Sequence, residues 1–148
     1  VIVADLYARL RAALPETVPV LRPEQVQVPA EWQEEDAQGE LVEGGARGQL
    51  AYLQQQAPQG YVQVETPVPI RTDGLVASYA VAVATIAPDA ALAQDLGLRV
   101  RRILCGHSYA PEAYRESRPA VAQPLQPGAW LYRPTYERVT LDGLLAGG

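Results

Sequence analysis

Apolar positions along the chain fall first at helical spacing, then in short alternating runs, and finally in one long unbroken run. Ile2, Leu6, Leu10, Ala13 and Leu14 lie on one side of a helix over Ile2 to Leu14, with Asp5 and Arg9 placed to pair at i,i+4 on its flank. Pro15 ends it, because proline disfavours helical geometry at Leu14 and has no amide to donate. Val18 to Leu21 and Gln25 to Val28 are short and β-favouring. The second is bracketed by Pro23 and Pro29, which suits an edge strand. Tyr61 to Thr66 alternates, with Val62 and Val64 on one face and Tyr61, Gln63 and Glu65 on the other. Gln49 to Gln56 fits helix or strand equally.

Leu75 to Ile86 is the strongest strand pattern. Leu75, Ala77, Tyr79, Val81, Val83 and Thr85 alternate with Val76, Ser78, Ala80, Ala82, Ala84 and Ile86, so neither is a polar face and both should be covered, as in a central strand. The second of these faces is mostly small, which lets a helix or another subunit approach closely. Val68 to Arg71 leads into it through a Thr72-Asp73-Gly74 turn, where Gly74 supplies the positive φ of a tight reversal.

A second helix follows at about 88–104, from Pro88 to Leu104. Leu92, Leu96, Val100 and Ile103 form its apolar arc, with Ala93 and Leu104 extending it, and Asp95 and Arg99 are spaced to pair. Asp89 complements the positive end of the helix dipole, and Gly106 can close the other end in a left-handed cap. Gly97 inside it costs about 1 kcal/mol relative to alanine. Leu98 projects from the polar side, which points to an added segment or an intersubunit contact. Ser108 to Gly128 is a proline-rich loop in which Pro111 to Ser117 reads as one or two helical turns. Ala129 to Arg133 and Thr135 to Leu141 read as two strands around Pro134, or one bent strand. The sum is a single α+β domain over residues 1–148: a small, mostly antiparallel sheet packed against the N-terminal helix and the second helix.

Glu31 to Gly48 interrupts this order. Glu31, Glu34, Glu35, Asp36, Glu40 and Glu43 have no basic partner before Arg47, and Gly39, Gly44, Gly45 and Gly48 break any regular element. This is a long acidic loop with Trp32 and the Leu41-Val42 pair as anchors. It is either a solvated excursion or a contact arm for a neighbouring subunit.

Charge and composition narrow the functional classes. The net charge of −5 opposes binding of nucleic acid by phosphate neutralisation. No apolar run approaches a membrane span of roughly 18–20 residues, and no signal-peptide pattern is present, which implies a soluble chain. Cys105 is the single cysteine, so no intrachain disulfide forms and a reducing compartment is expected. All 12 basic side chains are Arg, and Lys, Asn, Met and Phe are absent, which implies a GC-rich genome. The lack of Asn and Met and the 13 prolines would also suit heat tolerance, although coding bias explains them as well.

Candidate chemistry is sparse. Cys105-Gly106-His107 is the one place where a nucleophile and a base adjoin in sequence, yet it lies at the wrong end of a helix for thiolate activation. A buried cysteine beside a loop histidine accounts for it better. One Cys and one His fall short of a zinc site without carboxylates, the acidic loop lacks the donor alternation of a calcium loop, and Glu43-Gly-Gly-Ala-Arg-Gly lacks the Lys-Ser/Thr of a phosphate loop. Three serines and one histidine leave little scope for a hydrolase triad. No cofactor is implied. Arg99, Arg101 and Arg102, joined by Arg115 and Arg118, form the only basic concentration; they either compensate the helix dipole or meet an acidic surface of another copy, such as the Glu31 to Glu43 loop.

The element order resembles one family. An N-terminal amphipathic helix (Asp5-Leu-Tyr-Ala-Arg-Leu-Arg-Ala-Ala-Leu), strands, a long strand (Ser78-Tyr-Ala-Val-Ala-Val-Ala-Thr-Ile), a helix (Pro88 to Leu104) and further strands are similar to the tail-terminator or tail-completion proteins of tailed bacteriophages. The acidic insertion, the proline-rich segment and the Leu-Leu-Ala-Gly-Gly tail depart from that pattern. The resemblance implies a virion protein of the tail or neck, assembled in the host cytoplasm. It would form a ring, usually of six copies, that joins the tail tube to the head connector and leaves a channel for DNA. It implies no catalytic residue. Leu98 and the small-residue face of the central strand would serve subunit packing. Arg99, Arg101 and Arg102, and Glu34, Glu35, Asp36, Glu40 and Glu43, would serve partner contacts. Two other classes compete: a stand-alone cytosolic α+β module that binds a ligand or a protein, and an enzyme using Cys105 and His107.

Overall fold

A computed structural model describes residues 2–25, 28–29, 32, 37–38, 48–73, 76–106 and 114–141. Among them are three helices, α1 (Ile2–Ala13), α2 (Gln49–Gln55) and α3 (Ala90–Cys105). The strands are β1 (Val20–Leu21), β2 (Tyr61–Val64), β3 (Val68–Asp73), β4 (Val76–Ala87), β5 (Arg115–Arg118), β6 (Gln123–Gln126), β7 (Ala129–Tyr132) and β8 (Thr135–Leu141). The eight strands form one sheet that is antiparallel except for the β1–β2 pair. The α+β class read from the sequence is the observed one.

β4 is the axis. Its first half lies between β3 and β8 (Val68↔Ala80, Ser78↔Val139), and its second half lies between β2 and β7 (Val62↔Thr85, Thr85↔Tyr132). A 12-residue strand with two neighbours along each half needs apolar side chains on both faces, which is the pattern of this segment. The face carrying Val81, Val83 and Thr85 meets α1 and α3. Leu6, Leu10, Val62, Val64, Leu96, Val100, Leu104, Tyr114 and Tyr136 complete the main core there. Ala84 and Ile86, on the opposite face, pack with Tyr52, Leu53, Ala57 and Tyr61 beneath α2. The alternation seen in β2 is therefore correct in register, but its polar-looking side is buried too: Tyr61 is 0% and Gln63 8% exposed.

α3 begins one residue after Asp89, whose side chain accepts from the Leu92 amide at 2.8 Å. Pro88 consequently precedes the cap and does not form the first turn. Gly106 ends the helix at φ 46°, its amide donating to the Arg102 carbonyl. The buried arc is Ala93, Leu96, Gly97, Val100 and Leu104, with Leu92 and Ile103 half-buried. Gly97 turns this arc toward β7: a Cβ there would lie 2.2 Å from the Tyr132 ring. The glycine that weakens the helix is what lets it sit on the sheet. Thr85, fully buried, donates from its hydroxyl to the Ala93 carbonyl at 2.8 Å and fixes the same contact from the strand side.

Two expectations need correction, and one open reading is settled. Gln25 does not open an edge strand: residues 22–25 form a turn, closed by the Gln25 amide donating to the Arg22 carbonyl and the Arg22 amide donating to Gln25 Oε1. The proline-rich stretch contains strands β5 and β6, and Arg115–Arg118 pairs with β8 where helical turns were expected. Pro124 is tolerated within β6 because, among the described residues, β6 has β7 as its single strand neighbour. Gln49–Gln55, undecided from sequence, is helical, with Gln49, Ala51, Tyr52 and Leu53 buried.

Candidate partner-binding surface

The face of β4 turned away from α1 and α3 is only partly covered. α2 roofs the Ile86 end. Beside it lies a cleft of about 630 Å³ floored by Ala80, Ala82 and Ala84. Gln49, Gln63 and Glu65 stand on one side of it, and Arg118, Leu125, Leu131, Arg133 and Thr135 on the other. The small-residue face read from the sequence is thus the floor of an opening.

The polar groups around the cleft differ in how well they are satisfied. Arg133 forms a bidentate pair with Glu65, at 2.5 and 2.6 Å, so these two charges cancel. Hydrogen bonding to Glu65 is the main cause that raises the Arg133 pKa further above its ordinary value. Gln126 Nε2 donates to Gln49 Oε1 at 2.7 Å, and Gln49 Nε2 donates to the Tyr61 hydroxyl at 3.0 Å. Gln63 Nε2 donates to the Arg22 and Val64 carbonyls at 2.8 and 3.0 Å, which fixes the orientation of its amide. Gln63 Oε1 accepts no hydrogen bond among the described residues. Arg118 is exposed and forms no ion pair among the described residues.

Beyond the cleft the same sheet face carries exposed aliphatic side chains. Val68 (58% exposed), Val76 (40%) and Val139 (59%) sit in register around Ser78 and Ala80, with Ile70 (52%) at the bulge of β3.

The other sequence-selected residues are scattered. Leu98 is half-buried on α3, while Arg99 and Arg102 are exposed. Arg101 Nε lies 3.8 Å from Glu116 Oε2 of its own chain. Arg115 and Arg118, by their register with Glu137 and Thr135, belong to the sheet face opposite α3. The single basic concentration is therefore two, on opposite sides of the sheet. Asp95 and Arg99 do not form an ion pair. Glu34, Glu35, Asp36, Glu40, Glu43 and His107 lie outside the described residues. The base of the acidic stretch is described: the Gly48 amide donates to the Trp32 carbonyl at 2.7 Å, and the Trp32 ring packs edge-on against Tyr52, which packs edge-on against Tyr61. Trp32 is the anchor expected of it.

Cys105 is half-buried, and burial is the main cause that raises its thiol pKa, with Arg101 opposing. A nucleophile needs the reverse. Behind it the buried Tyr136 hydroxyl also has no hydrogen-bond partner among the described residues, and burial pushes its pKa up. Across the core, Asp5 Oδ2 accepts from the Tyr114 hydroxyl (2.8 Å), Arg138 (2.7 Å) and Arg9 (3.1 Å), tying α1 to β8. Both arginines also lie over the Tyr114 ring. The sequence announced only the Asp5–Arg9 part of this cluster. Among the described residues no group of three or more His, Cys, Asp or Glu could hold a metal ion, and no helix is long and apolar enough to cross a membrane.

No protein-family model matches the chain, and a search of curated proteins finds no match to it. Gln63, Glu65 and Arg133 were missed as cleft residues because only the sheet order, which joins β2 and β7 to the same half of β4, brings them together.

Proposed function

We propose that the chain is a non-catalytic virion subunit that works by association: a ring-forming tail-completion or tail-terminator subunit of a tailed phage, set between tail tube and head connector. The observation that carries this reading is the uncovered aliphatic surface of Val68, Ile70, Val76 and Val139 on the sheet side away from α1 and α3. Burying such side chains contributes roughly 1.5–3 kcal/mol each when coverage is complete. The resemblance in element order supplies the family, and the net charge of −5 suits a channel wall that repels phosphate so that DNA passes without adhering.

The experiment is size measurement over a concentration series, by light scattering after gel filtration, with negative-stain imaging of the largest species. A closed ring, six copies in the preferred form, is expected. Val139→Asp should shift it toward the single chain. A chain that stays solitary at every concentration removes the proposal. A second reading, a ligand-binding module, rests on the cleft, whose volume falls in the small-ligand range of roughly 300–1,000 Å³. It predicts a solitary chain stabilised by a small molecule.

A further inference from the structure

We infer that the cleft over Ala80, Ala82 and Ala84 binds a small organic monocarboxylate, with the carboxylate held at Arg118 and an apolar body lying along the floor. The inference rests on the ligand-binding reading and gives it a ligand class; it does not depend on whether copies of the chain form a ring.

Charge selects the ligand. The charged side chains that line the cleft are Glu65, Arg133 and Arg118. Glu65 and Arg133 satisfy each other in their bidentate pair. The Glu65 amide donates to the Ala82 carbonyl at 3.0 Å from the β2 side of β4, and Arg133 follows β7 on the other side, so the pair reaches across the strand above the alanines. Arg118 is left over: it is exposed and has no ion-pair partner among the described residues. A cation is repelled by it, and a neutral ligand leaves it unused. A phosphate monoester brings about two negative charges to a single positive one. A carboxylate matches it in both charge and shape.

The register supplies a second donor. Arg118 is the cross-strand partner of Thr135, and Thr135 is the partner of Ala82. Such partners stand about 4.5–5.5 Å apart on one face of the sheet, which sets Thr135 between the guanidinium and the floor. Its hydroxyl and the guanidinium fork together serve both oxygens of one carboxylate. The rest of the cleft is apolar where the ligand's body would lie: Val68 stands on one side, Leu125 and Leu131 on the other, and the alanines between them. A volume of about 630 Å³ is far more than a carboxylate alone fills, so an alkyl chain or a ring belongs with it.

Calorimetric titration with octanoate tests this, with octan-1-ol and octylamine as the neutral and cationic probes of equal chain length. Octanoate should bind once per chain, and about tenfold or more tighter than either control. Arg118→Gln should weaken octanoate about tenfold and leave octan-1-ol unchanged, a difference that a misfolded chain would not show. Ala82→Leu, which fills the space above the floor, should abolish binding of octanoate, with circular dichroism checking its fold. Equal affinity for octanoate and octan-1-ol, or an Arg118→Gln chain that binds octanoate as the parent does, overturns the inference and leaves the ligand-binding reading standing. Undiminished binding to a folded Ala82→Leu chain places the probe outside the cleft and also overturns it. A chain that binds none of the three probes defeats the inference and the ligand-binding reading together.

Discussion

Gly97→Ala sets two effects of opposite sign against each other. In a free helix alanine is favoured over glycine by about 1 kcal/mol. In the folded chain its Cβ would lie 2.2 Å from Tyr132 Cδ1 and 2.5 Å from Cε1, where carbon atoms normally rest about 3.5–4.0 Å apart. The ring would have to retreat by more than about 1 Å. Tyr132 is 7% exposed and packed with Ala87 and Ala93, so that retreat disturbs the seam between α3 and β7. Overpacking costs about 1–3 kcal/mol, and an overlap this deep belongs at the upper end. After the helix gain is offset, a net loss of about 1–2 kcal/mol remains. That corresponds to a fall in Tm of about 2–8 °C. Urea unfolding followed by circular dichroism measures it. In a Tyr132→Ala background the clash is gone, and the same Gly97→Ala change should become stabilising. A Gly97→Ala chain as stable as its parent would refute the packing argument.

Other perturbations test other parts of the account. Asp5→Ala removes the acceptor shared by Tyr114, Arg138 and Arg9 and leaves Arg138, 7% exposed, without its carboxylate; it should cost about 2–3 kcal/mol, the partial exposure of Asp5 reducing the usual buried-pair penalty. Arg9→Ala, at the more exposed pair, should cost about 0.5 kcal/mol or less in the same unfolding assay. Burial raises the phenol pKa of Tyr114 and Tyr136 above the ordinary 10.0, and the Asp5 carboxylate adds to the effect at Tyr114. A raised folded-state value means stability that is intact below about pH 10 and lost as pH climbs above it. Ultraviolet titration should therefore show these two phenols ionising only together with unfolding. Burial likewise raises the Cys105 pKa above 9.0, so a thiol reagent at pH 8 should label the native chain more slowly than the urea-unfolded one, and equal rates would contradict the burial described.

The parts of the fold that were legible in sequence are those where side-chain period and burial agree. α1, β4 and α3 each bury a face that the period identifies, and Asp89 and Gly106 mark the ends of α3. β5 and β6 were not legible, because Arg115–Arg118 and Gln123–Gln126 are polar edge strands whose pairing comes from the chain returning along β8 and β7. Alternation places Gln63 on the face opposite Val62 and Val64, but nothing local reveals that α2 and residues 22–23 close over that side of β2. For the same reason Arg118 was grouped with the arginines of α3, although its β5 position places it on the far side of the sheet. The small-residue face of β4 was identified from alternation alone, and it is the floor of the candidate surface.

The central claim is that this chain acts by binding copies of itself, and native mass spectrometry tests it most directly. The account predicts one dominant species at a fixed multiple of the 16.0 kDa chain mass, six for the preferred ring, that gives way to smaller species in Val139→Asp. A single peak at 16.0 kDa across the whole concentration range would contradict it.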